Sequence, residues 1–223
     1  MEMVTKIVVS LNDIFAIIFS FTYVIAIIIL MKIFKAKLDM ETRRKLTHSC
    51  MGIWPILWLL FENAFAAFIV PLVVTILLAV APQNVRALFS KGEEKHVGLV
   101  IYALSFTIIT FFLYRTSIGT AAIFTLAFAD GVSGWIGRKY GKHMYQVPWS
   151  KPKSLEGSAG MFIASLISIY IAQLFYEPNF SPLLTIAGAI IATIVEGISP
   201  KHSDNIFVPL ILATFIYCLH PIL

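Results

Sequence analysis

The sequence predicts an all-helical protein, a polytopic bundle of transmembrane helices that forms one integral membrane domain over residues 1–223. Composition is the first reason, since 59% of the residues are hydrophobic and only 13% are charged, whereas about a quarter of a soluble domain is charged. The mean hydropathy is +0.87. The second reason is a series of apolar runs, most close to the ~20 residues that a helix needs to cross a bilayer. The third is the regular placement of basic residues between those runs.

The apolar runs predict eight spans, with seven and nine as the alternative counts. The first run is too long for a signal peptide and has no small-residue cleavage site after it, so it is predicted to span the membrane. The second and seventh are short, which is typical of tilted or partly embedded segments. The predicted spans cover residues 12–31, 46–61, 63–81, 97–114, 119–137, 157–175, 183–198 and 205–221.

The basic residues predict the orientation of the bundle. Fifteen of the seventeen Lys and Arg lie in alternate loops, and the exceptions are Lys6 and Arg115. By the positive-inside rule these loops are cytoplasmic and both termini lie outside. The longest of them, 138–156, is a basic loop too short to form a core of its own. The positive charge therefore indicates cytoplasmic loops and no nucleic-acid partner. The four loops are 32–45, 82–96, 138–156 and 199–204.

Four ionisable residues lie at the cytoplasmic ends of predicted spans: His48, Asp130, Glu196 and Asp204. Ionisable groups at such positions are costly and by default mark a functional site. Because all four lie at one membrane face, we expect them to meet in one site there. The two cysteines, Cys50 and Cys218, have no paired spacing, so neither a disulfide nor a zinc site is expected.

The stretch "ETRRKLTHSC" places Arg44, Lys45 and His48 on one face of a helix. Two cations beside an imidazole repel each other unless an anion joins them. The pattern predicts an anion or phosphate site, and the alternative is a set of interfacial anchors with one hydrogen-bonded histidine.

A glycine stripe follows the first aspartate, since Asp130, Gly134, Gly137 and Gly141 share one helix face. Glycine destabilises a helix, so the stripe needs a reason. One reason is close packing between spanning helices. The other is a groove with a backbone floor, where Asp130 would hold a divalent cation such as Mg²⁺.

The stretch "WSKPKSLEGSAG" predicts a helix that starts near residue 155, with Ser154 as its N-cap. Lys151 and Lys153 flank that helix start, where free N–H groups attract anions. Glu156 in the first turn suits the helix dipole. The alternative is a capped membrane helix with interfacial lysines. Two further glycines keep side chains away from this end: Gly157 and Gly160.

The last cluster, "EGISPKHSDN", breaks one helix and opens another. Gly197 and Pro200 end the preceding span, and either Asp204 or Asn205 could cap the next one. Capping does not account for Glu196, which stands in an apolar context.

Three carboxylates, several cations, a histidine and glycine backbone at one membrane face suit phosphoryl or nucleotidyl transfer. A cytoplasmic nucleotide would meet a lipid alcohol from the bilayer. The sequence has no P-loop, protein-kinase motif set or HExxH motif. A small transporter is the alternative from another class, but its site is expected near the middle of the bilayer.

Four motifs in order resemble the polyprenol kinase family, which includes dolichol kinase, phytol kinase and CTP-dependent diacylglycerol kinase. The resemblance implies phosphoryl transfer from CTP to an isoprenoid or other lipid alcohol, with Mg²⁺ or another divalent cation. CTP rests on the resemblance alone, and the alcohol stays open among phytol, geranylgeraniol, a polyprenol and diacylglycerol. The motifs are "RRKLTH" (43–48), "DGVSGWIGRKYGK" (130–142), "KSLEGS" (153–158) and "EGISPKHSDNIFVP" (196–209).

The related phosphatidate cytidylyltransferases share a similar middle region but usually end in a Pro-Gly-His-Gly-Gly element. The corresponding place here reads "KHSDNIFVP", which favours a kinase. An enzyme that forms a CDP-lipid stays as the alternative, and the oligomeric state is left open.

These motifs lead to specific expectations for the site. Asp130 and Asp204 are expected to bind the metal, and Glu196 is a third ligand or the base for the substrate hydroxyl. Asn205 would orient Asp204 or contact the nucleotide. The residues expected to lie against the nucleotide or its phosphates are Arg44, Lys45, His48, Gly134, Gly137, Arg138, Gly141, Lys142, Lys151, Lys153, Ser154, Glu156 and Gly157.

Overall fold

The structure is a computed structural model that describes residues 9–83, 85–86, 93–176 and 181–219. It is all-helical, as the sequence predicts, except for one small hairpin that the sequence analysis did not predict. The hairpin pairs β1 (Met144–Tyr145) with β2 (Lys153–Ser154), with Met144 opposite Ser154. In chain order the α-helices are α1 (Leu11–Ile33), α2 (Met40–Met51), α3 (Ala64–Ala79), α4 (Glu93–Leu113), α5 (Ser117–Phe124), α6 (Asp130–Tyr140), α7 (Leu155–Tyr176), α8 (Pro182–Ile198) and α9 (Asp204–Leu219).

Four helical stretches are long and apolar enough to cross a membrane: Leu11–Ala36, His96–Leu113, Ser117–Tyr140 and Leu155–Tyr176. The third is continuous through α5, a π-helical turn at Thr125–Ala129 and α6. The helices α3, α8 and α9 are apolar but have only 16 or 17 residues. At ~1.5 Å per residue they are about 25 Å long, a little less than the ~30 Å hydrocarbon core. These seven helical stretches correspond to seven of the eight predicted spans.

The prediction of one spanning helix at 46–61 is wrong. The helix α2 ends at Met51, Gly52 follows, and residues Trp54–Leu60 form a 3₁₀-helix. Pro55 has no N–H and disfavours the α conformation at Trp54, and both effects favour the end of α2 before it. Seven residues at ~2 Å each cover about 14 Å, roughly half of the hydrocarbon core.

Two other predictions lie partly outside the described residues. The basic loop 82–96 includes residues 84 and 87–92, and the predicted span 205–221 includes residues 220 and 221.

Side chains at the helix starts fix how the helices join. Ser10 and Asp13 form a reciprocal capping box at the start of α1, with both hydrogen bonds at 3.1 Å. The other carboxylate oxygen of Asp13 accepts the N–H groups of Glu62 and Asn63, at 2.9 and 3.1 Å. This buried aspartate thus satisfies free N–H groups of two helix starts and ties α1 to α3.

The helix α7 lies at the centre of one half of the bundle, where it packs against α5, α6 and α8. Met161, Ile169 and Leu212 are fully buried in that half. The other half packs α3 against α1 and α4, around Trp58 and Phe61. The ends of five helices lie beside one another near the hairpin, and the candidate site lies there. These helices are α2, α6, α7, α8 and α9.

Candidate active site

A polar cavity of about 470 Å³ lies where α2, α6, α7, α8 and α9 begin or end. The hairpin and the turn at 199–203 complete its wall. Most of the residues that the sequence motifs single out come together here. Those that line the cavity are Arg44, Lys45, Asp130, Gly134, Gly137, Arg138, Lys151, Lys153, Ser154, Gly157, Glu196, Asp204 and Asn205.

Three carboxylates from three helices meet in this polar cavity. Asp130 is the first residue of α6, Glu196 lies in the last turn of α8, and Asp204 is the first residue of α9. One oxygen from each lies within 4.8 Å of the other two. Three anionic groups this close repel one another unless cations lie between them.

Two lysines supply part of that compensation. Lys45 Nζ lies 2.5 Å from Asp130 Oδ2 and donates a second hydrogen bond of 3.2 Å to the Asp130 carbonyl. Lys153 Nζ lies 2.5 Å from Glu196 Oε1 and 4.0 Å from Asp204 Oδ2, and it also contacts the Glu196 carbonyl. Each lysine therefore bridges two elements that are far apart in sequence.

The carboxylate cluster retains capacity for a cation. Glu196 Oε2 is buried and has no hydrogen-bond partner among the described residues. A buried carboxylate oxygen without a partner is costly. Three convergent carboxylates supply the hard oxygen ligands that Mg²⁺ prefers. The residues present therefore fit a divalent cation.

The glycine stripe takes part both in helix packing and in the wall of the polar cavity. Gly137 packs against the start of α7, because a Cβ on Gly157 would lie 3.3 Å from the Gly137 Cα and 3.2 Å from the Ser133 carbonyl oxygen. Gly134 instead faces the end of the Lys45 side chain. The stripe thus brings α6 against α7 and also leaves a backbone surface in the cavity.

The start of α7 is the one that the sequence predicts. Ser154 Oγ accepts the N–H of Gly157 at 3.1 Å, as expected of an N-cap. The N–H of Leu155 donates to the His143 carbonyl at 2.9 Å. The protein itself therefore uses both of these N–H groups.

Four expected site residues do not line the polar cavity. Glu156 accepts the backbone N–H of Lys142 at 3.1 Å and contacts His143 Nδ1 at 2.7 Å, so it fastens the hairpin to α7. Gly141 packs against Ser154. His48 is fully buried beside an apolar cavity on the other side of α2.

The structure also places residues in the cavity that were not among the expected site residues. Glu41 pairs with Arg44 at 2.6 Å and with Arg138 at 3.4 Å. The spacing of three residues between Glu41 and Arg44 in the sequence is the pattern that could have predicted the first of these pairs. His202, in the turn before α9, has a left-handed backbone with φ of 62°. Nothing in the sequence indicates that conformation. The other additions are Ser133, Met144, Pro152, Ser158, Ser199, Pro200 and Lys201.

Asp39 caps the start of α2. Its carboxylate accepts the Thr42 hydroxyl at 2.5 Å and the Thr42 N–H at 3.0 Å. Both bonds lower the pKa of Asp39, and the bond from the Thr42 hydroxyl has the larger effect. The carboxylate therefore stays ionised as a helix cap.

Fold and site together define an all-helical membrane protein with a polar cavity of carboxylates and lysines at one end of the bundle. Comparison with curated proteins identifies its relatives. The chain is 32% identical over 185 residues to the phytol kinase of Synechocystis sp., and the match covers 76% of each chain. The chain belongs to the polyprenol kinase family, which contains phytol, farnesol and CTP-dependent diacylglycerol kinases.

Two further relatives show the breadth of that family. Phytol kinase 1, chloroplastic, of Arabidopsis thaliana is 31% identical over 201 residues, which are 78% of this chain and 65% of that protein. CTP-dependent diacylglycerol kinase 1 of Saccharomyces cerevisiae is 22% identical over 218 residues, which cover 78% and 72%. The chain thus spans just under two thirds of the Arabidopsis relative. No family model and no solved structure matches the chain.

Proposed function

We propose that this protein is a CTP-dependent kinase that phosphorylates the hydroxyl group of a membrane lipid alcohol. The observation that carries the proposal is the meeting of three carboxylates and two lysines in one polar cavity. That set suits a reaction in which phosphate charge must be neutralised and positioned. The names of the relatives supply the donor and the acceptor class, since they include phytol kinases and CTP-dependent diacylglycerol kinases.

The lysines would bind the phosphates of the nucleotide. Lys45 and Lys153 hold Asp130 and Glu196 in the free protein, and phosphate oxygens would replace these carboxylates as their partners. Lys151 and Arg138 also line the cavity and add positive charge at its rim. The backbone of Gly134 lets the nucleotide approach without a side chain in the way.

Asp130 and Asp204 would hold a divalent cation, with Glu196 as the third ligand or as the base. The cation, when bound, neutralises charge on the triphosphate and on the leaving group. Since the three carboxylates come from separate helices, binding at this point would also tighten the ends of α6, α8 and α9 against one another.

The chemical step joins the lipid hydroxyl oxygen to the γ-phosphorus while the bond from that phosphorus to the β–γ bridging oxygen breaks. The bonding electrons leave with CDP, and the hydroxyl proton passes to a carboxylate. Glu196 offers a buried oxygen without a partner for this proton. The two lysines stabilise the charge that is shared by the transferred and leaving phosphates.

We further propose that the polar cavity opens on the cytoplasmic face, because Lys and Arg are concentrated in the loops at this end. A cytoplasmic nucleotide would then enter from water while the lipid alcohol arrives from the bilayer.

The deciding experiment uses the protein in lipid nanodiscs with Mg²⁺ and CTP that is labelled on the α- or the γ-phosphate. The lipid pool contains phytol, geranylgeraniol, undecaprenol, diacylglycerol and phosphatidate. Transfer of the γ-label to the lipid phase supports the kinase, and the labelled lipid names the alcohol. Transfer of the α-label shows a cytidylyltransferase and overturns the proposal. If neither label reaches lipid from CTP, and ATP and UTP also fail, the transporter becomes the better reading.

A further inference from the structure

A second cavity lies on the other side of α2 from the polar one. Its volume is about 100 Å³, and residues of α1, α2, α3 and α4 line it. Nearly all of these are aliphatic or aromatic, and Pro71 in the middle of α3 is one of them. An apolar cavity of roughly 150 Å³ stays free of water and binds benzene, so the cavity here suits a small hydrocarbon group.

Consecutive turns of α2 line the two cavities. Arg44 and Lys45 line the polar cavity, whereas Thr47, His48 and Met51 line the apolar one. One turn of helix rises ~5.4 Å. A molecule with its hydrocarbon in the apolar cavity could therefore place a terminal group near Lys45 and its partner Asp130.

His48 carries unused hydrogen-bonding atoms at this junction. Its side chain is fully buried and stacks on Tyr102, with ring centroids 4.0 Å apart. Neither ring nitrogen has a hydrogen-bond partner among the described residues, and the same holds for the buried indole N–H of Trp54. A buried polar atom without a partner is costly, so these groups indicate a polar ligand.

The other polar side chains that line the cavity are already engaged. The Thr47 hydroxyl donates to the Arg43 carbonyl at 2.9 Å, and the Tyr102 hydroxyl donates to the His48 carbonyl at 2.7 Å. The cavity therefore offers partners for about one hydroxyl group and surrounds it with hydrocarbon.

We propose that the apolar cavity binds the first prenyl unit of a single-chain isoprenoid alcohol, with its hydroxyl group hydrogen-bonded to His48. A prenyl unit is pure hydrocarbon and similar in size to benzene, and the rest of the chain would leave between α1 and α3 into the bilayer. Diacylglycerol fits poorly, because one ester lies on the carbon next to the hydroxyl carbon and the second on the carbon after that. Burying an ester carbonyl without a hydrogen-bond partner is costly, and the unpartnered groups described in this cavity are only the His48 ring nitrogens and the Trp54 N–H. The inference rests on the proposed kinase function and names the alcohol class that it uses.

The direct test needs no turnover. Wild-type protein in nanodiscs without nucleotide is irradiated with geranylgeraniol that carries a diazirine on its first prenyl unit, and the adducts are mapped by mass spectrometry. We expect adducts on cavity residues such as Val24, Val74 and Leu99. Adducts confined to outward-facing residues such as Ile25 and Ile29 would overturn the inference, as would equal labelling of the cavity by a diacylglycerol probe.

Matched variants test the same point by kinetics. Ala103→Leu fills the cavity and is expected to raise KM for geranylgeraniol at least tenfold, with CTP affinity unchanged. Ala26→Leu adds the same atoms to an exposed position of α1 and should leave KM unchanged. His48→Phe keeps the stacking on Tyr102 but removes the ring nitrogens, and we expect about a tenfold loss in kcat/KM. Unchanged kinetics in both cavity variants would contradict the inference.

The outcomes separate this inference from the proposed function. Phosphoryl transfer to diacylglycerol alone would keep the kinase and exclude the prenyl site. Specific labelling of the cavity without any phosphoryl transfer would keep the site and exclude the kinase.

Discussion

Breaking the ion pair between Lys45 and Asp130 should separate what the pair contributes to the stability of the protein from what it contributes to catalysis. The two side chains are only 14% and 18% exposed, and their charged atoms lie 2.5 Å apart. Removing one partner of a buried pair costs about 3–5 kcal/mol, because the other charge is left without compensation. Lys45 keeps its bond to the Asp130 carbonyl, so Asp130→Asn should lie near the lower value, at about 3 kcal/mol.

The double variant Lys45→Met with Asp130→Asn removes both charges. Replacing a buried pair by uncharged groups of similar size is often close to neutral. We therefore expect the double variant to be more stable than either single variant, with a coupling of up to about 3 kcal/mol. Thermal unfolding in nanodiscs over the four proteins of the cycle measures that coupling.

Activity should follow a different pattern across the same cycle. Asp130 is proposed as a metal ligand and Lys45 as a phosphate contact, so the double variant should regain stability and no activity. Each variant should transfer the γ-phosphate of CTP about 10²–10³-fold more slowly, the range for losing one electrostatic contact in an active site. Glu62→Gln, an exposed carboxylate at the start of α3, is the matched control. Full activity in a folded Asp130→Asn protein would refute the role in catalysis, and additive stability losses would refute the pairing.

Three further predictions follow from the site. Lys153→Met should lower kcat about 10²-fold, because it removes the cation between Glu196 and a phosphate, and Lys153→Arg should recover part of the loss in a γ-phosphate transfer assay. Chelation by EDTA should stop phosphoryl transfer and raise the Kd for CTP, and added Mg²⁺ should restore both in a filter-binding and transfer experiment. Gly157→Ala should destabilise the protein by about 1–3 kcal/mol in thermal unfolding, because its Cβ would press on the Ser133 carbonyl oxygen at 3.2 Å.

For each of these three predictions, one result would contradict it. Equal rates for Lys153→Met and wild type would remove that lysine from the site. Transfer that persists in EDTA would exclude the cation. Gly131→Ala, on α6, is the control for Gly157→Ala, because among the described residues a methyl group there meets only the Ser49 side chain, at 3.2 Å. Equal stability of the two glycine variants would contradict the close packing of α6 on α7.

The sequence predicted the start of α7 correctly, and it failed at one of the eight spans. Ser154 caps α7 where the Ser-Leu-Glu-Gly pattern placed the cap, because capping depends on side chains within one turn of the helix. The span at 46–61 failed because hydrophobicity alone does not distinguish an α-helix from a 3₁₀-helix that follows a glycine and contains a proline.

Within the site, residue type was easier to predict than position. Glu156 has the charge and the neighbours of a phosphate-site residue, yet it binds backbone N–H groups of the hairpin. His48 follows Arg44 at the spacing of one helix face, yet it lies beside the apolar cavity. Four residues make slightly more than one turn of helix, and a small offset is enough to move a side chain from one cavity to the next.

By itself, the sequence determined that the chain is a helical membrane protein and that its charged motifs are exceptions in an apolar chain, since composition and helix period are local properties. Only the tertiary structure decided which motifs meet. Lys45 reaches Asp130 across 85 positions, and Lys153 reaches Glu196 across 43. The packing of α2, α6, α7 and α8 sets these distances, because side chains from distant turns must fill one space without voids. No spacing along the chain records such distances.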